Sequence, residues 1–293
     1  MSISKELDLA IKAAQGKANE GGYVAGGKEY DTYMTNAEWD AFKAAMLPDA
    51  LTEYDNGAGG ELAEKNGRPP KMACYGSSSR LIYMLSHHKE GFHYEKKLST
   101  TIGGKACLDG FYEDDHRYIF VEAKCHEPYS AKSGTVSKSY EGLYRFINEN
   151  MAGNVEISMT ESGCGRNMAV EYFADGEKLA YFDLKQMICH LLAIATGILK
   201  KELAPKQLDF IYLLYDPTEL HLAEKTKEIV NSIYERTCYE CNLLDFATLL
   251  RVIFAFLKAE KYGEVISDEE IDAFICRFTF SLASEVFYPI LLQ

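Results

Sequence analysis

Apolar residues recur at helical spacing in residues 1–15. They do so again in the short segment AEWDAFKAAM, after a stretch to Met34 dominated by glycine and polar residues. Asn36 reads as the N-cap of that second helix, and Pro48 stops it. Residues 55–70 (DNGAGGELAEKNGRPP) read as a linker or long loop from their Gly and Pro content. Ser77, Ser78 and Ser79 then offer N-caps for a helix through RLIYMLSHHKE, closed by Gly91. Alternation predicts a strand at 92–98, a turn at Gly103-Gly104, and two strands at 105–113 and 117–125 joined by Asp114-Asp115-His116. A Ser/Lys/Gly loop covers 130–139 and a short helix 140–149. Further strands are expected at 154–160, 168–173 and 178–182. Asp183 caps the helix LKQMICHLLAIATGILKK, which is apolar on most faces and is therefore expected to be buried. The run LDFIYLLY at 208–215 reads as a central strand, ended by Pro217, and the remainder as helical. This order predicts an α/β fold, a mixed sheet flanked by helices. Its expected parts are a helical N-terminal extension and linker (1–70), an α/β core (71–217) and a helical C-terminal region packed on the core (218–293).

Composition places the chain among ordinary globular proteins, at 47% hydrophobic and 26% charged residues. No window reaches the roughly 18 uninterrupted apolar residues that a membrane helix needs. The N-terminus lacks the apolar segment of a signal peptide. The expectation is a soluble, cytoplasmic protein with no membrane partner. Lys and Arg number 31 against 44 Asp and Glu, a net charge of −13. That balance disfavours broad nonspecific nucleic-acid binding, which depends on neutralising phosphates. The acidity is uneven, and residues 71–150 are near charge balance, which permits a polyanion site there. The eight cysteines read as reduced thiols, and Cys238 and Cys241, a lone CxxC in a helical pattern, as structural.

The stretch from Leu108 to Lys124 carries the most chemistry. A hairpin turning at Asp115-His116 sets Glu113 opposite Tyr118, Phe111 opposite Phe120 and Asp109 opposite Glu122. Facing residues have Cβ atoms about 4.5–5.5 Å apart. Two carboxylates so close repel unless a cation or a proton lies between them. Lys124, two residues beyond Glu122, shares its face. Glu122 and Lys124 interrupt a run that otherwise reads as a buried strand, and charges are seldom fully buried unless paired or metal-bound. Paired carboxylates suit a hard divalent ion such as Mg²⁺, with Mn²⁺ as substitute. A lysine beside a metal-bound water can stabilise the charge developing on a phosphorane. The competing reading is a salt-bridge ladder on a solvated sheet face.

Asp109, a spacer, then Glu122-Ala123-Lys124 on a strand resembles the PD-(D/E)xK nuclease superfamily, over roughly residues 77–215. The order of elements around the motif agrees with the restriction-endonuclease-like core of that family. The resemblance implies that Asp109, Glu122 and the Ala123 backbone carbonyl hold Mg²⁺ and that Lys124 works on the attacking water. It further implies a polar residue on the later core helix, for which Gln186 fits, and a glutamate completing the metal site. Glu90 and Glu95 are the candidates, and Glu95 is preferred. Position 108 is Leu where the pattern has Pro, and the long segment 130–182 between the ExK strand and the core helix is expected to contain a family-specific insertion.

The function so implied is a metal-dependent nuclease acting on phosphodiester bonds, with DNA as the expected partner and endonucleolytic cleavage as the expected mode. Arg80, Lys132 and Lys138 are the basic residues expected to meet phosphates. Two alternatives stay open: a noncatalytic binding or assembly protein on a degenerate nuclease fold, and an RNA-directed phosphodiesterase. The C-terminal helices offer a surface for self-association or a protein partner. Elsewhere His190 reads as a satisfied core histidine. Cys125, His126 and Glu127, adjacent on one strand, cannot all face one ion and read as structural.

Overall fold

The computed structural model describes residues 2–57, 60–129, 134–162, 165–204, 206–262 and 267–283. Helix α1 (Ile3–Ala14) opens the described chain and is followed by a small antiparallel hairpin, β1 (Tyr23–Ala25) and β2 (Lys28–Tyr30). Gly26 and Gly27 both take positive φ at its turn, as a two-residue hairpin loop requires. Helix α2 (Asn36–Ala45) begins at its expected cap, and the observed cap lies one residue earlier. Thr35 is the N-cap and closes a capping box with Glu38. Pro48 ends nothing but stands at the first position of α3 (Pro48–Asp55), where its missing N–H costs nothing. A short 3₁₀ turn (Lys71–Ala73) precedes α4 (Ser78–Ser86), capped by Ser77.

The sheet that follows is mixed. Strands β3 (Phe92–Ser99), β4 (Lys105–Glu113) and β5 (Arg117–Lys124) form an antiparallel meander. The β4–β5 register sets Glu113 opposite Tyr118 and Phe111 opposite Phe120, as the hairpin turn predicts. After a 3₁₀ turn at Glu127–Tyr129 come β6 (Thr135–Ser137) and α5 (Glu141–Asn150). Strands β7 (Val155–Glu161), β8 (Asn167–Ala174) and β9 (Glu177–Lys178) complete a second, antiparallel sheet with β6. The strand expected at 178–182 is reduced to β9. The N–H groups of Ala180, Tyr181 and Phe182 bond the buried Glu240 carboxylate at 2.8–3.0 Å and so are lost to any ladder.

Helix α6 (Leu184–Leu199) then crosses to β10 (Gln207–Leu214), which lies parallel to β5. Helices α7 (Glu224–Asn242), α8 (Phe246–Ala259) and α9 (Asp268–Ile275) follow. The expectation of an all-helical C-terminal region is corrected by β11 (Phe278–Ala283), a parallel neighbour of β10. The main sheet therefore runs β11-β10-β5-β4-β3. Parallel pairing carries no local turn signal, so nothing near residue 278 announces its partner.

Both faces of this sheet are covered. On one, Tyr118, Phe120, Phe210 and Tyr212 share a core with α6 and α8, while α5 packs on α8 and β7. On the other, Ile119, Val121, Ala123, Ile211 and Leu213 pack against α4 and the N-terminal helices. Thirteen of the sixteen α6 residues are buried, as its all-round apolar pattern predicts, each Leu or Ile adding about 1.5–3 kcal/mol. Among the described residues no helix is long and apolar enough to cross a membrane.

Candidate metal and catalytic centre

The β4–β5 ladder runs from Glu113 opposite Tyr118 as far as Gly110 opposite Val121 and stops there. Just past that point the Asp109 carboxylate takes the backbone's place: its Oδ2 accepts the Ala123 N–H at 2.8 Å. A strand residue turns its N–H and C=O to the same side, so the Ala123 carbonyl also points toward the parting strands. The neighbouring β3–β4 ladder is broken at the same level, where Glu95 stands across from Asp109. Glu95 has φ +53°, a left-handed conformation that costs a residue with a side chain of its kind about 1–3 kcal/mol. Interrupted ladders on both sides thus free Asp109 and Glu95 from the sheet's own pattern.

Glu122 and Lys124 occupy successive same-face positions of β5, beneath α6. They are 1% and 8% exposed, which excludes the solvated ladder for this pair. The Lys124 Nζ donates to Glu122 Oε1 at 2.5 Å. Gln186 ties the pair together: its Nε2 donates to the same Glu122 oxygen at 2.6 Å, and its Oε1 accepts from Lys124 at 2.7 Å. Gln186 is held in the first turn of α6 by the Asp183 cap, whose Oδ1 accepts the Gln186 N–H at 3.1 Å. The fourth member, His190, lies one turn further along α6, with Nε2 at 3.0 Å from Glu122 Oε2. His190 is indeed buried, yet its partner is the motif glutamate. The i, i+4 spacing of Gln186 and His190 on a helix with one polar stripe was the available signal. Tyr212, paired in register with Glu122 across β10, was also missed; its hydroxyl is buried without a hydrogen-bond partner.

The charges of the centre are unequal. Burial, and then repulsion from Glu122, push the Asp109 carboxyl well above the usual range. Burial also disfavours charge on Glu122, but the Lys124 ammonium and the His190 ring outweigh it and hold Glu122 at about 2. Burial opposes the Lys124 charge too. Glu122 foremost, with Tyr212 and Asp109, overcomes it and raises the lysine well above its ordinary value. The centre is a tight Lys124–Glu122 pair beside a carboxyl that carries its negative charge with difficulty.

Asp109, Glu95 and Gln186 open on a cleft of about 380 Å³, together with Glu61, Lys71 and His126. Glu61 is buried, accepts from Ser79 at 2.9 Å and pairs with Lys71 at 2.7 Å. Glu95 accepts from the Cys107 thiol at 3.0 Å. A second cleft of about 430 Å³ meets the centre from the far side of Gln186 and His190, lined also by Lys105, Lys185 and Tyr140.

The three expected phosphate-binding residues do not gather here. Arg80 is 7% exposed: its guanidinium donates to Gln15 at 2.6 Å and lies over the Tyr75 and Phe42 rings. It braces α4 against α1 and presents nothing to a phosphate. Lys138 is exposed but pairs with Glu161 at 3.3 Å along a different cleft. Lys132 lies outside the described residues. Glu90, the other glutamate considered, is exposed beyond the end of α4 and does not line the cleft. No protein-family model, no curated protein and no solved structure matches the chain.

Proposed function

We propose that this chain is a metal-dependent nuclease that hydrolyses phosphodiester bonds, with DNA as substrate and internal cleavage as the mode. One juxtaposition carries the reading: Asp109 accepts the N–H of Ala123, the residue between Glu122 and Lys124, where β4 and β5 part, with Lys124 bonded to Glu122 and Asp109 open to a cleft. The fit to a hard dication rests on donor chemistry. Asp109, Glu122, Glu95 and the Ala123 carbonyl offer oxygen only, the preference of Mg²⁺ and Mn²⁺. Burial first, and then repulsion from Glu122, push the Asp109 carboxyl up, and a bound cation would offset both by stabilising its charged form. When bound, the ion supplies an activated water and neutralises charge on the phosphate.

The chain's own residues do the rest. Lys124, kept cationic by Glu122, is the group that faces the negative charge gathering on the phosphoryl oxygens. Gln186 bonds both the Lys124 ammonium and the Glu122 carboxylate and so holds the pair in place during reaction. His190 holds the second Glu122 oxygen from behind. Plasmid, single-stranded DNA and RNA incubated with Mg²⁺ or Mn²⁺ test the proposal. Nicking or linearisation that chelation stops supports it; no cleavage of any of the three by a folded, metal-saturated protein overturns it. RNA as the only substrate leaves the chemistry and changes the substrate.

A second reading, a noncatalytic binding or assembly protein on the same fold, is favoured by one observation. Both Glu122 oxygens are already engaged and the side chain is 1% exposed. Metal-induced stabilisation that Asp109→Ala removes separates the two, since a vestigial site has none.

A further inference from the structure

Asp8, Cys74 and His126 lie far apart in the sequence and come together in space. Asp8 is on α1, Cys74 follows the 3₁₀ turn before α4, and His126 follows the end of β5. The Cys74 Sγ is 3.6 Å from Asp8 Oδ2 and the His126 Nδ1 is 3.0 Å from Asp8 Oδ1. One ligand atom from each falls within 4.8 Å of the others. Ligands about 2.0–2.3 Å from a tetrahedral zinc ion stand roughly 3–4 Å from one another, so the spacing suits a shared ion.

A second observation concerns charge. Asp8 is 6% exposed, and among the described residues no lysine or arginine pairs with it. Lys12, one turn along α1, spends its ammonium on the carbonyls of Glu20, Gly21 and Asp31. The charge partner of Asp8 among the described residues is His126, and a metal ion that both groups ligate would take over that role. The backbone is shaped around the same group. A Cβ at Gly76 would lie 1.9 Å from Asp8 Oδ1 and 3.0 Å from His126 Nδ1, so only glycine lets the chain pass there.

We propose that Asp8, Cys74 and His126 form a second metal site, separate from the Asp109 centre, that takes one zinc-class transition ion. A thiolate and an imidazole select such an ion over Mg²⁺. Aspartate, thiolate and neutral imidazole balance a dication, and the thiol proton is released on binding. Cys74 and His126 line the same 380 Å³ cleft as Asp109, so the fourth position, left to water or a ligand oxygen, opens toward the candidate catalytic centre. The ion would clamp α1 to the core at the mouth of that cleft. Without an ion, the thiol and the imidazole N–H both donate to Asp8, and the site is a hydrogen-bonded network.

Cobalt substitution decides between these under reducing conditions, on the full chain. Wild-type protein freed of metal and titrated with Co²⁺ is expected to develop a sulfur-to-cobalt charge-transfer band that saturates at one equivalent and that Zn²⁺ bleaches and Mg²⁺ does not. Cys74→Ser removes the band. Asp8→Asn, which keeps an acceptor for the thiol and so preserves folding, weakens binding more than about 100-fold, since loss of outer partners alone costs about 10–100-fold. Glu122→Gln leaves the band unchanged, which keeps this site's fate apart from that of the nuclease proposal. No band in the wild type, a band that survives Cys74→Ser, or equal affinity in Asp8→Asn overturns the assignment.

Discussion

Asp109 accepts the N–H of Ala123, next to Glu122, where two strands part, and the two carboxyls hold their protons on opposite terms. Asp109 is pushed above the carboxylate range while Glu122 is held at about 2. A carboxyl whose folded pKa is raised binds more protons in the native than in the unfolded state. Asp109 therefore lowers stability as pH rises from its ordinary 3.8 through its raised value. Metal binding must displace that proton. Divalent-ion affinity is expected to increase with pH across this window, with proton uptake by the buffer. Calorimetry in two buffers of different ionisation enthalpy measures it, and equal heats would count against Asp109 as a ligand. Asp109→Asn flattens the pH dependence and abolishes the metal effect.

Glu122 has the opposite sign. Its lowered pKa contributes stability that is present above 4.5 and lost as pH falls toward 2. Acid unfolding of the wild type should be steeper over that range than that of Glu122→Gln, monitored by circular dichroism.

Loss of either member of the buried pair should cost both fold and activity. Glu122→Ala leaves the Lys124 ammonium buried and unpaired, at about 3–5 kcal/mol. Glu122→Gln retains hydrogen bonds to Lys124 and Gln186 and is expected to be the better-folded variant. Lys124→Met leaves the Glu122 carboxylate with only Gln186 and His190 as partners, so it should lose stability as well, and at least about 100-fold in Mg²⁺-dependent cleavage, the scale of losing one charge-stabilising donor. Denaturant melts beside plasmid assays separate the two effects; a folded Lys124→Met that cleaves at the wild-type rate removes the lysine from the mechanism.

Glu95 holds a left-handed backbone beside the cleft. Glu95→Gly relieves about 1 kcal/mol or more of strain, offset in part by the lost thiol contact from Cys107. The expected result is near-wild-type thermal stability with weaker metal binding. Unchanged metal affinity in this variant would exclude Glu95 from the ligand set.

Gly110, next to Asp109, has no room for a side chain. An added Cβ would stand 2.5 Å from the Phe92 ring and 3.3 Å from Val121. Gly110→Ala is expected to destabilise by about 1–3 kcal/mol, read from the denaturation midpoint, because Phe92 is buried and must move.

What the sequence made legible followed local physics. The turn at Asp114–Arg117 is pinned by the Asp114 carboxylate accepting the N–H groups of His116 and Arg117. A turn so tight sets the hairpin register, which runs as far as Gly110 opposite Val121 and leaves Asp109 at the end of the ladder. Gln186 was named through the family resemblance, and the Asp183 cap fixes where α6 begins and so sets Gln186 in its first turn. The α/β class followed from strand alternation and the buried character of α6. Long-range pairings were not legible. Nothing local joins Asp8 to His126, or Phe278 to Leu208. Arg80 misled for another reason: its charge suggests the surface, whereas aromatic rings and the Gln15 carbonyl take the place of water around it.

The parallel seat of β11 beside β10 has a consequence for synthesis. The hairpin of β4 and β5 can close as soon as it is made, but the far edge of the sheet stays bare until residue 283 has emerged. Until then β10 exposes unpaired backbone and the Phe210 face, a surface that invites wrong neighbours in a crowded cell. Slow, late completion by a distant segment makes a chaperone requirement, or poor yield from chains cut before Phe278, the natural cost of this topology.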